Sequence, residues 1–106
     1  MTERYYQQVR WIHDAVDDPV VLWAHVVGCR EVRKVDEFAD GRLVWADERT
    51  ESGGTWLSLS PMPTPEELAA DPQFVFEVIP ADVFERVRRR ARRAAGPSVG
   101  EAGPPV

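Results

Sequence analysis

Residues 31–48, "EVRKVDEFADGRLVWADE", decide the fold because they form the clearest strand–turn–strand pattern in the chain. Apolar residues recur on both sides of Asp40 and Gly41, and this dipeptide tolerates the positive φ that a tight hairpin turn requires. The two strands of such a hairpin run in opposite directions. The stretch therefore predicts an antiparallel sheet.

The first strand of this hairpin departs from strict alternation. Its apolar residues Val32, Val35 and Phe38 fall at every third position, whereas a regular strand places them at every second position. An extra residue inserted into one strand shifts the pattern in this way. We therefore expect a β-bulge near residues 34–36.

Four other segments are predicted to be strands, namely residues 5–13, 20–27, 55–59 and 73–79. Residues 20–27 are apolar at both odd and even positions, which is typical of a strand that is covered on both faces of a sheet. Short reversals separate neighbouring strands, so strands that follow each other in the sequence are expected to pair.

Two helices are predicted from capping residues and periodicity. The first begins at Thr64, whose side chain caps the helix, with Pro65 in the first position and Glu67 completing a capping box. The second follows residue 80 and has an apolar side with the helical period. This side consists of Phe84, Val87, Ala91 and Ala94.

These elements predict a single α+β domain over residues 4–95, followed by a disordered Gly/Pro-rich tail over residues 96–106. A chain of 106 residues has the size of one domain. The sheet is expected to be largely antiparallel and twisted, with five to six strands. The short helix and the C-terminal amphipathic helix are expected to cover one of its faces.

The charge of the chain is unevenly distributed. The formal net charge is −5, yet residues 86–93, "RVRRRARR", contain six arginines and no acidic residue, so the remainder is strongly acidic. The single cysteine, Cys29, excludes a disulfide framework. No segment has the roughly 20 apolar residues that span a bilayer. We therefore expect a cytoplasmic protein that has no membrane contact.

The phrase Trp-x-His occurs twice, at Trp11 to His13 and at Trp23 to His25. Hairpin registers in which paired residue numbers sum to 33, 34 or 35 all keep the two imidazoles apart, by roughly 13 Å for a sum of 34. An odd sum places the two phrases on opposite faces of the sheet. Packing is the expected role of both histidines, each stacked on the tryptophan of the other strand, and a shared metal is not expected.

An acidic cluster and a tryptophan on the polar side of a strand are candidates for binding. Asp47, Glu48 and Glu51 precede a pair of glycines, and a solvated loop is the alternative interpretation. Trp56 shares one side of its predicted strand with serines, and tryptophan is typical of interface hot spots. The alternative is that a helix or loop covers Trp56.

The arginine-rich end of the second helix suggests contact with nucleic acid. Arg88, Arg89 and Arg92 are the residues that would bind phosphate groups. Against this, cations near a helix C-terminus complement the helix dipole, and the acidic remainder of the chain can engage them internally. A solvated helix face is the alternative interpretation.

Several segments together resemble a family of small, mostly bacterial proteins that consist of one domain of unknown function. The resemblance extends from about Tyr5 to Arg89. It implies a compact α+β domain and no established activity, so no catalytic residue is transferred. The segments are "VRWIHD", "DDPVVLW", "EVRKVDEFADGRLVWADE", "GGTWLS" and "PTPEELAADPQF".

The sequence favours a non-catalytic protein-interaction module, of the immunity or antitoxin kind, whose partner has a basic surface. RNA or DNA binding through the arginine-rich helix is one alternative. The other is small-molecule binding in a cleft between sheet and helix, near His13, Trp23 and His25. No catalytic residue, metal or cofactor is expected, and the oligomeric state is left open.

Overall fold

A computed structural model describes residues 3–50 and 55–94. The elements are β1 (Arg4–Trp11), β2 (Val21–Val27), β3 (Arg30–Glu37), β4 (Leu43–Asp47), α1 (Pro65–Ala70), β5 (Phe74–Ile79) and α2 (Ala81–Ala94). The strands pair antiparallel in the order β4-β3-β2-β1-β5, which confirms the α+β class and a five-stranded sheet. Most neighbouring strands also follow each other in the sequence, and β5 returns to pair with β1.

The turn between β3 and β4 forms where the sequence predicts it. Gly41 has a φ of 91°, a conformation that side chains with a Cβ rarely adopt. The Phe38 amide donates to the Arg42 carbonyl at 2.9 Å, and the Arg42 amide donates to Asp40 Oδ1 at 2.9 Å. The carboxylate of Asp40 thus stabilises the turn that the glycine permits.

The bulge in β3 lies earlier than predicted. The register against β2 changes between His25, which pairs with Arg33, and Val26, which pairs with Glu31. Val32 is therefore the extra residue. The second half of β3 pairs regularly with both neighbours, so the expected position at residues 34–36 is wrong. The bulge places Glu31 on the side of the strand that would otherwise present Val32.

The pairing of β1 with β2 also differs from the three registers that the sequence favours. Tyr6 pairs with His25, so paired residue numbers sum to 31. The reversal is longer than assumed, because β1 ends at Trp11 and His13 lies in the loop, where its Nε2 is 2.7 Å from the Pro19 carbonyl. Because the sum is odd, Trp11 and Trp23 lie on opposite faces, one of the arrangements that the sequence left open.

The two helices pack on opposite faces of the sheet, which corrects the expectation that they cover the same face. Alternate residues of a strand face opposite sides. Trp23 packs against the cluster under α2, whereas Ala24 lines a cavity with Leu68 of α1. β2 is therefore covered on both sides, as predicted. The cluster under α2 consists of Val35, Leu43, Trp45, Val87 and Ala91.

α1 begins as the capping pattern predicts. The Glu67 amide donates to Thr64 Oγ1 at 3.1 Å, and the Thr64 amide donates to Glu67 Oε1 at 2.8 Å. Pro65 occupies the first turn, where its missing N–H is not needed. In α2 three of the four predicted apolar positions are buried, and only Ala94 is exposed.

Residues 55–59 form no strand, which corrects a further prediction. The described part of this segment crosses one face of the sheet instead, because β3 already has a partner strand at each edge. Thr55 Oγ1 donates to Asp36 Oδ2 at 2.8 Å, and the Ser58 amide donates to Glu31 Oε1 at 2.9 Å. The segment is therefore attached to β3 by side chains rather than by backbone pairing.

The predicted tail over residues 96–106 lies outside the described residues. Within residues 3–50 and 55–94, no helix is long and apolar enough to cross a bilayer. Cys29 is exposed near the start of β3, in the connection from β2.

Candidate binding pocket

A cavity of about 190 Å³ lies on the face of the sheet opposite α2. Its floor is formed by β1, β2 and β3, and its roof by α1 and the segment before it. This volume exceeds the 150 Å³ or so of an engineered cavity that binds benzene. Most of the wall is apolar, with contributions from Val9, Leu22, Ala24, Met62, Leu68 and Phe74.

Four polar side chains also line this cavity, namely Gln7, Glu31, Lys34 and Asp36. The register explains why they meet. Gln7 and Lys34 flank the same residue of β2, and Asp36 follows Lys34 by two positions on the same side of β3. Glu31 joins them only because the bulge shifts the alternation by one residue.

Asp36 is held by groups on both sides of the cavity. Thr55 Oγ1 donates to its Oδ2 at 2.8 Å, and Lys34 Nζ lies 3.3 Å from the same oxygen. Lys34 Nζ also donates to the Trp56 carbonyl at 3.4 Å. The lysine thus connects the floor of the cavity to the segment that crosses above it.

Two buried oxygen atoms of residues that line the cavity have no hydrogen-bond partner among residues 3–50 and 55–94. They are Oδ1 of Asp36 and Oε1 of Gln7, and the two residues are only 5% and 3% exposed. A buried acceptor without a partner costs about 1–3 kcal/mol, and more when it is charged. Both residues line the same mainly apolar cavity, although the two oxygen atoms themselves have almost no accessible surface.

The charges in the cavity do not balance. Glu31 and Asp36 are two carboxylates, and Lys34 is the single cation among the described lining residues. Burial raises the pKa of Glu31 above its ordinary value, and the charge of Asp36 adds to the increase. The Ser58 amide and Lys34 act in the opposite direction. Glu31 is thus a carboxylate in a site that disfavours its charge.

A second, more open hollow of about 310 Å³ shares Glu31 and Lys34 with the cavity. Thr55, Trp56 and Ser58 form its other side. The Trp56 side chain is largely exposed, at 61%. The predicted binding residue Trp56 therefore stands at the rim of the pocket, and neither helix covers it.

The predicted acidic cluster does not join this site. Asp47 ends β4 on the α2 face, and its Oδ1 accepts the amides of Arg49 and Thr50, both at 2.8 Å. Burial alone would raise the pKa of Asp47, but these amides and the Arg88 guanidinium, 3.2 Å from Oδ2, lower it. Asp47 therefore stabilises the turn after β4 and holds Arg88 of α2 against the sheet.

Glu48 and Glu51 are the remaining members of that cluster. Glu48 is exposed and lies 3.8 Å from Arg30. Glu51 lies outside the described residues. The structure thus places Trp56 and Asp47, two candidates from the sequence, on opposite faces of the sheet.

His25 is a packed residue on the α2 face. Its ring stacks on Tyr6, with centroids 4.2 Å apart. Its Nδ1 accepts from Arg33 Nε at 3.2 Å, and Nε2 is buried without a partner. Burial lowers the pKa of His25, and the charges of Arg33 and Arg4 lower it further, against the opposing charge of Glu85.

His13 contacts a different set of groups. Its Nδ1 accepts the Ala15 amide at 3.0 Å, so Nε2 carries the proton and donates to Pro19. The ring packs edge-on against Trp11, with centroids 4.3 Å apart. Neither histidine stacks on the tryptophan of the other strand, which corrects that prediction. In the part of the chain described, no cluster of three His, Cys, Asp or Glu could hold a metal.

Trp23 is half-buried against the cluster under α2, and its Nε1 donates to Glu37 Oε1 at 3.4 Å. The predicted cleft near Trp23 and the two histidines is therefore not one site. An open hollow of about 290 Å³ on the α2 face has a lining that includes His25, Arg33, Asp47 and Glu48. The more apolar cavity lies on the other face, under α1.

The three arginines proposed for nucleic acid binding have different environments. Arg88 is half-buried and bridges Asp47 and Glu85, at 3.2 and 3.9 Å. The Arg92 guanidinium lies over the Trp45 ring, 4.9 Å from its centroid. Arg89 is exposed. Two of the three therefore serve the packing of α2.

Sequence reasoning missed the polar residues of the pocket, although one signal could have indicated them. β2 is apolar at both odd and even positions, which predicts cover on both faces. A neighbouring strand is then covered on both faces as well, so charged residues within it are buried. Asp36 is buried and Glu31 and Lys34 are partly buried, and such charged residues indicate a site.

A family model described as Domain of unknown function (DUF6881) matches residues 5–93, and the chain belongs to that family. This confirms the resemblance that the sequence motifs indicate. Searches among curated proteins and among solved structures gave no match. The family description states no activity, and the geometry of the pocket is therefore the guide to function.

Proposed function

We propose that this domain is a non-catalytic protein-interaction module, and that its partner is a protein with a basic surface that docks over the pocket. The observation on which this rests is the pair of unpartnered acceptors, Asp36 Oδ1 and Gln7 Oε1, in an apolar cavity below an exposed tryptophan. A docked partner would supply the missing hydrogen-bond donors.

The rim of the pocket has the composition of an interface. Trp56 is 61% exposed and Leu59 is 98% exposed, and both belong to the segment that crosses the pocket face. Buried tryptophans dominate the energetics of many interfaces. Lys34 holds the Trp56 carbonyl, so part of the segment is fixed before a partner arrives. Prior order lowers the entropy cost of docking.

The charge of the site supports a basic partner. The net charge of the chain is −5, and the described lining of the pocket contains one more carboxylate than ammonium group. Complementary charge accelerates association and discriminates against acidic partners. A single exposed cysteine, Cys29, suits the reducing cytoplasm in which we place this interaction.

Quantitative capture from the native cell tests the proposal, with the full chain as bait and Trp56→Ala compared with Ile12→Ala. Ile12 is also an exposed large apolar residue, at 57%, but its amide bonds to Gln73 at the end of the sheet. A stoichiometric partner should be retained by the wild type and Ile12→Ala and reduced at least about tenfold by Trp56→Ala. A photo-crosslinker at position 56 should label this partner, and one at position 12 should not.

Equal capture by the three baits, or equal labelling from both positions, would contradict the proposal. A captured protein with an acidic surface would also contradict it, because the pocket has no excess of cations among its described residues.

A further inference from the structure

We propose that the pocket binds a monovalent cationic group at the end of a short apolar stem, such as the ammonium group of a lysine side chain or of a free primary amine. This inference rests on the proposed function, because it specifies the group that a partner inserts. This inference names the group that enters the cavity, whereas Trp56 and Leu59 would contact the partner at the rim.

The charge of the cavity leads to this ligand. Asp36 and Lys34 form an ion pair at 3.3 Å, and Glu31 remains as a second carboxylate whose position the bulge determines. Buried charges in proteins are normally paired, since an unpaired one loses its hydration without compensation. One additional positive charge makes the cavity neutral.

The acceptors without a partner indicate that the ligand donates hydrogen bonds. Asp36 Oδ2 already accepts from Thr55, whereas neither Asp36 Oδ1 nor Gln7 Oε1 has a partner in the described part of the chain. An ammonium group has three donors and no acceptor. It can therefore supply a donor to either of these oxygens, and both residues are more than nine-tenths buried.

The apolar wall of the cavity is the reason for proposing that the ligand has an apolar stem. Leu22, Ala24 and Leu68 are part of a lining that is mainly hydrophobic. Lysine side chains bury their methylene groups along such surfaces while the charged end finds a polar partner. An anion would face two carboxylates, and a neutral apolar ligand would leave the charge and both acceptors uncompensated.

Titration of the ¹⁵N-labelled full chain with small probes tests the inference. The probes are n-butylammonium, n-pentanol as a neutral compound of similar length, and butyrate as an anion. The amide signals of Ala24 and Leu68, on opposite walls of the cavity, are the reporters. We expect n-butylammonium to bind at least about tenfold more tightly than n-pentanol, because one charge-assisted hydrogen bond contributes about this factor to affinity. We expect butyrate not to bind.

Two variants assign this preference to the pocket. Asp36→Asn removes the carboxylate whose Oδ1 has no partner among the described residues and leaves Glu31 with Lys34, and Glu31→Gln leaves Asp36 with Lys34, so each variant keeps one negative and one positive charge in the lining. Either variant should reduce the preference for n-butylammonium over n-pentanol to less than about threefold. Glu77→Gln, the same change at an exposed residue of β5, should retain it.

N-acetyl-lysine N-methylamide distinguishes the two sources of the group. Binding as tight as that of n-butylammonium identifies a protein side chain, and binding of n-butylammonium alone identifies a free amine. Equal affinity for n-butylammonium and n-pentanol, or a preference unchanged in both pocket variants, would overturn the inference. If Trp56→Ala still abolished partner capture in that case, the proposed interaction would stand without it.

Discussion

The charged side chains on the two faces of the sheet differ in how completely they are paired. On the α2 face, two cations and two anions form a connected group, with Arg33 2.7 Å from Glu85 and Arg88 between Glu85 and Asp47. On the pocket face, the cavity lining has two carboxylates and one lysine, and Oδ1 of Asp36 has no partner among the described residues.

This difference separates groups that stabilise the fold from groups that are available for binding. The α2 face combines balanced charge with a packed apolar cluster, and such consistency between packing and charge is typical of a structural core. The pocket face keeps a cavity and an excess carboxylate, each of which costs stability. A domain that keeps both on one face has the features of a binding site there.

The largest expected effect comes from the packed face. Phe84 is completely buried between Tyr6 and Arg33, so Phe84→Ala should lower the free energy of unfolding by about 3–5 kcal/mol. Urea denaturation measures this change. Leu68→Ala, beside the existing cavity, should cost less. A larger loss at Leu68 than at Phe84 would break the comparison.

A smaller effect is expected from the charge group. Arg88→Ala leaves Asp47 and Glu85 without their shared cation, and we expect a loss of about 1–2 kcal/mol, moderated because all three side chains are partly solvated. Arg86→Ala is the matched control, since its pair with Asp82 is exposed, and should cost at most about 0.5 kcal/mol. Equal losses in urea denaturation would show that α2 gains nothing special from Arg88.

His25 should make the α2 face sensitive to acid. Its pKa is lowered in the folded protein, so below the ordinary value of 6.5 the unfolded chain binds a proton that the folded chain does not. The free energy of unfolding should therefore fall as the pH falls through 6.5, and stop changing below the folded pKa. His25→Gln should remove this slope in denaturation at a series of pH values. His13→Gln is the control that should keep it.

The smallest effect is expected at the pocket, with the opposite sign. The pKa of Glu31 is raised, so the free energy of unfolding should fall as the pH rises from the ordinary value of 4.5 through the folded pKa. Glu31→Gln can still accept the Ser58 amide, and it should equal or exceed the wild type at pH 7, within about 1 kcal/mol. A clear loss of stability would identify Glu31 as structural and remove the contrast between the faces.

Local chemistry made much of the fold predictable. The positive φ at Gly41 and the reciprocal capping by Thr64 and Glu67 depend on residues that are near in sequence, and both were predictable. The pocket depends on the register of distant strands. Neither the position of Val32 in the bulge nor the path of residues 55–63 over the sheet follows from local preference.

The candidate site shows the same division. The exposure of Trp56 was one of two open interpretations, because a single strand pattern does not reveal what lies above it. Asp47 and His25 attracted attention through their residue types, yet their partners Arg88 and Arg33 come from other elements and give them structural roles. The sequence predicts only that Asp36 belongs to a hairpin strand, and its Oδ1 without a partner among the described residues is seen only in the structure.

The bulge at Val32 has a consequence for how members of this family could diverge. If β3 paired regularly, Val32 would occupy the position opposite Val26 that Glu31 now holds, and the carboxylate would turn to the other side of the strand. The pocket would then lose its excess negative charge without any substitution in its wall. Two homologues with the same residues at these positions would then differ in the charge of this cavity, according to whether one backbone irregularity is kept.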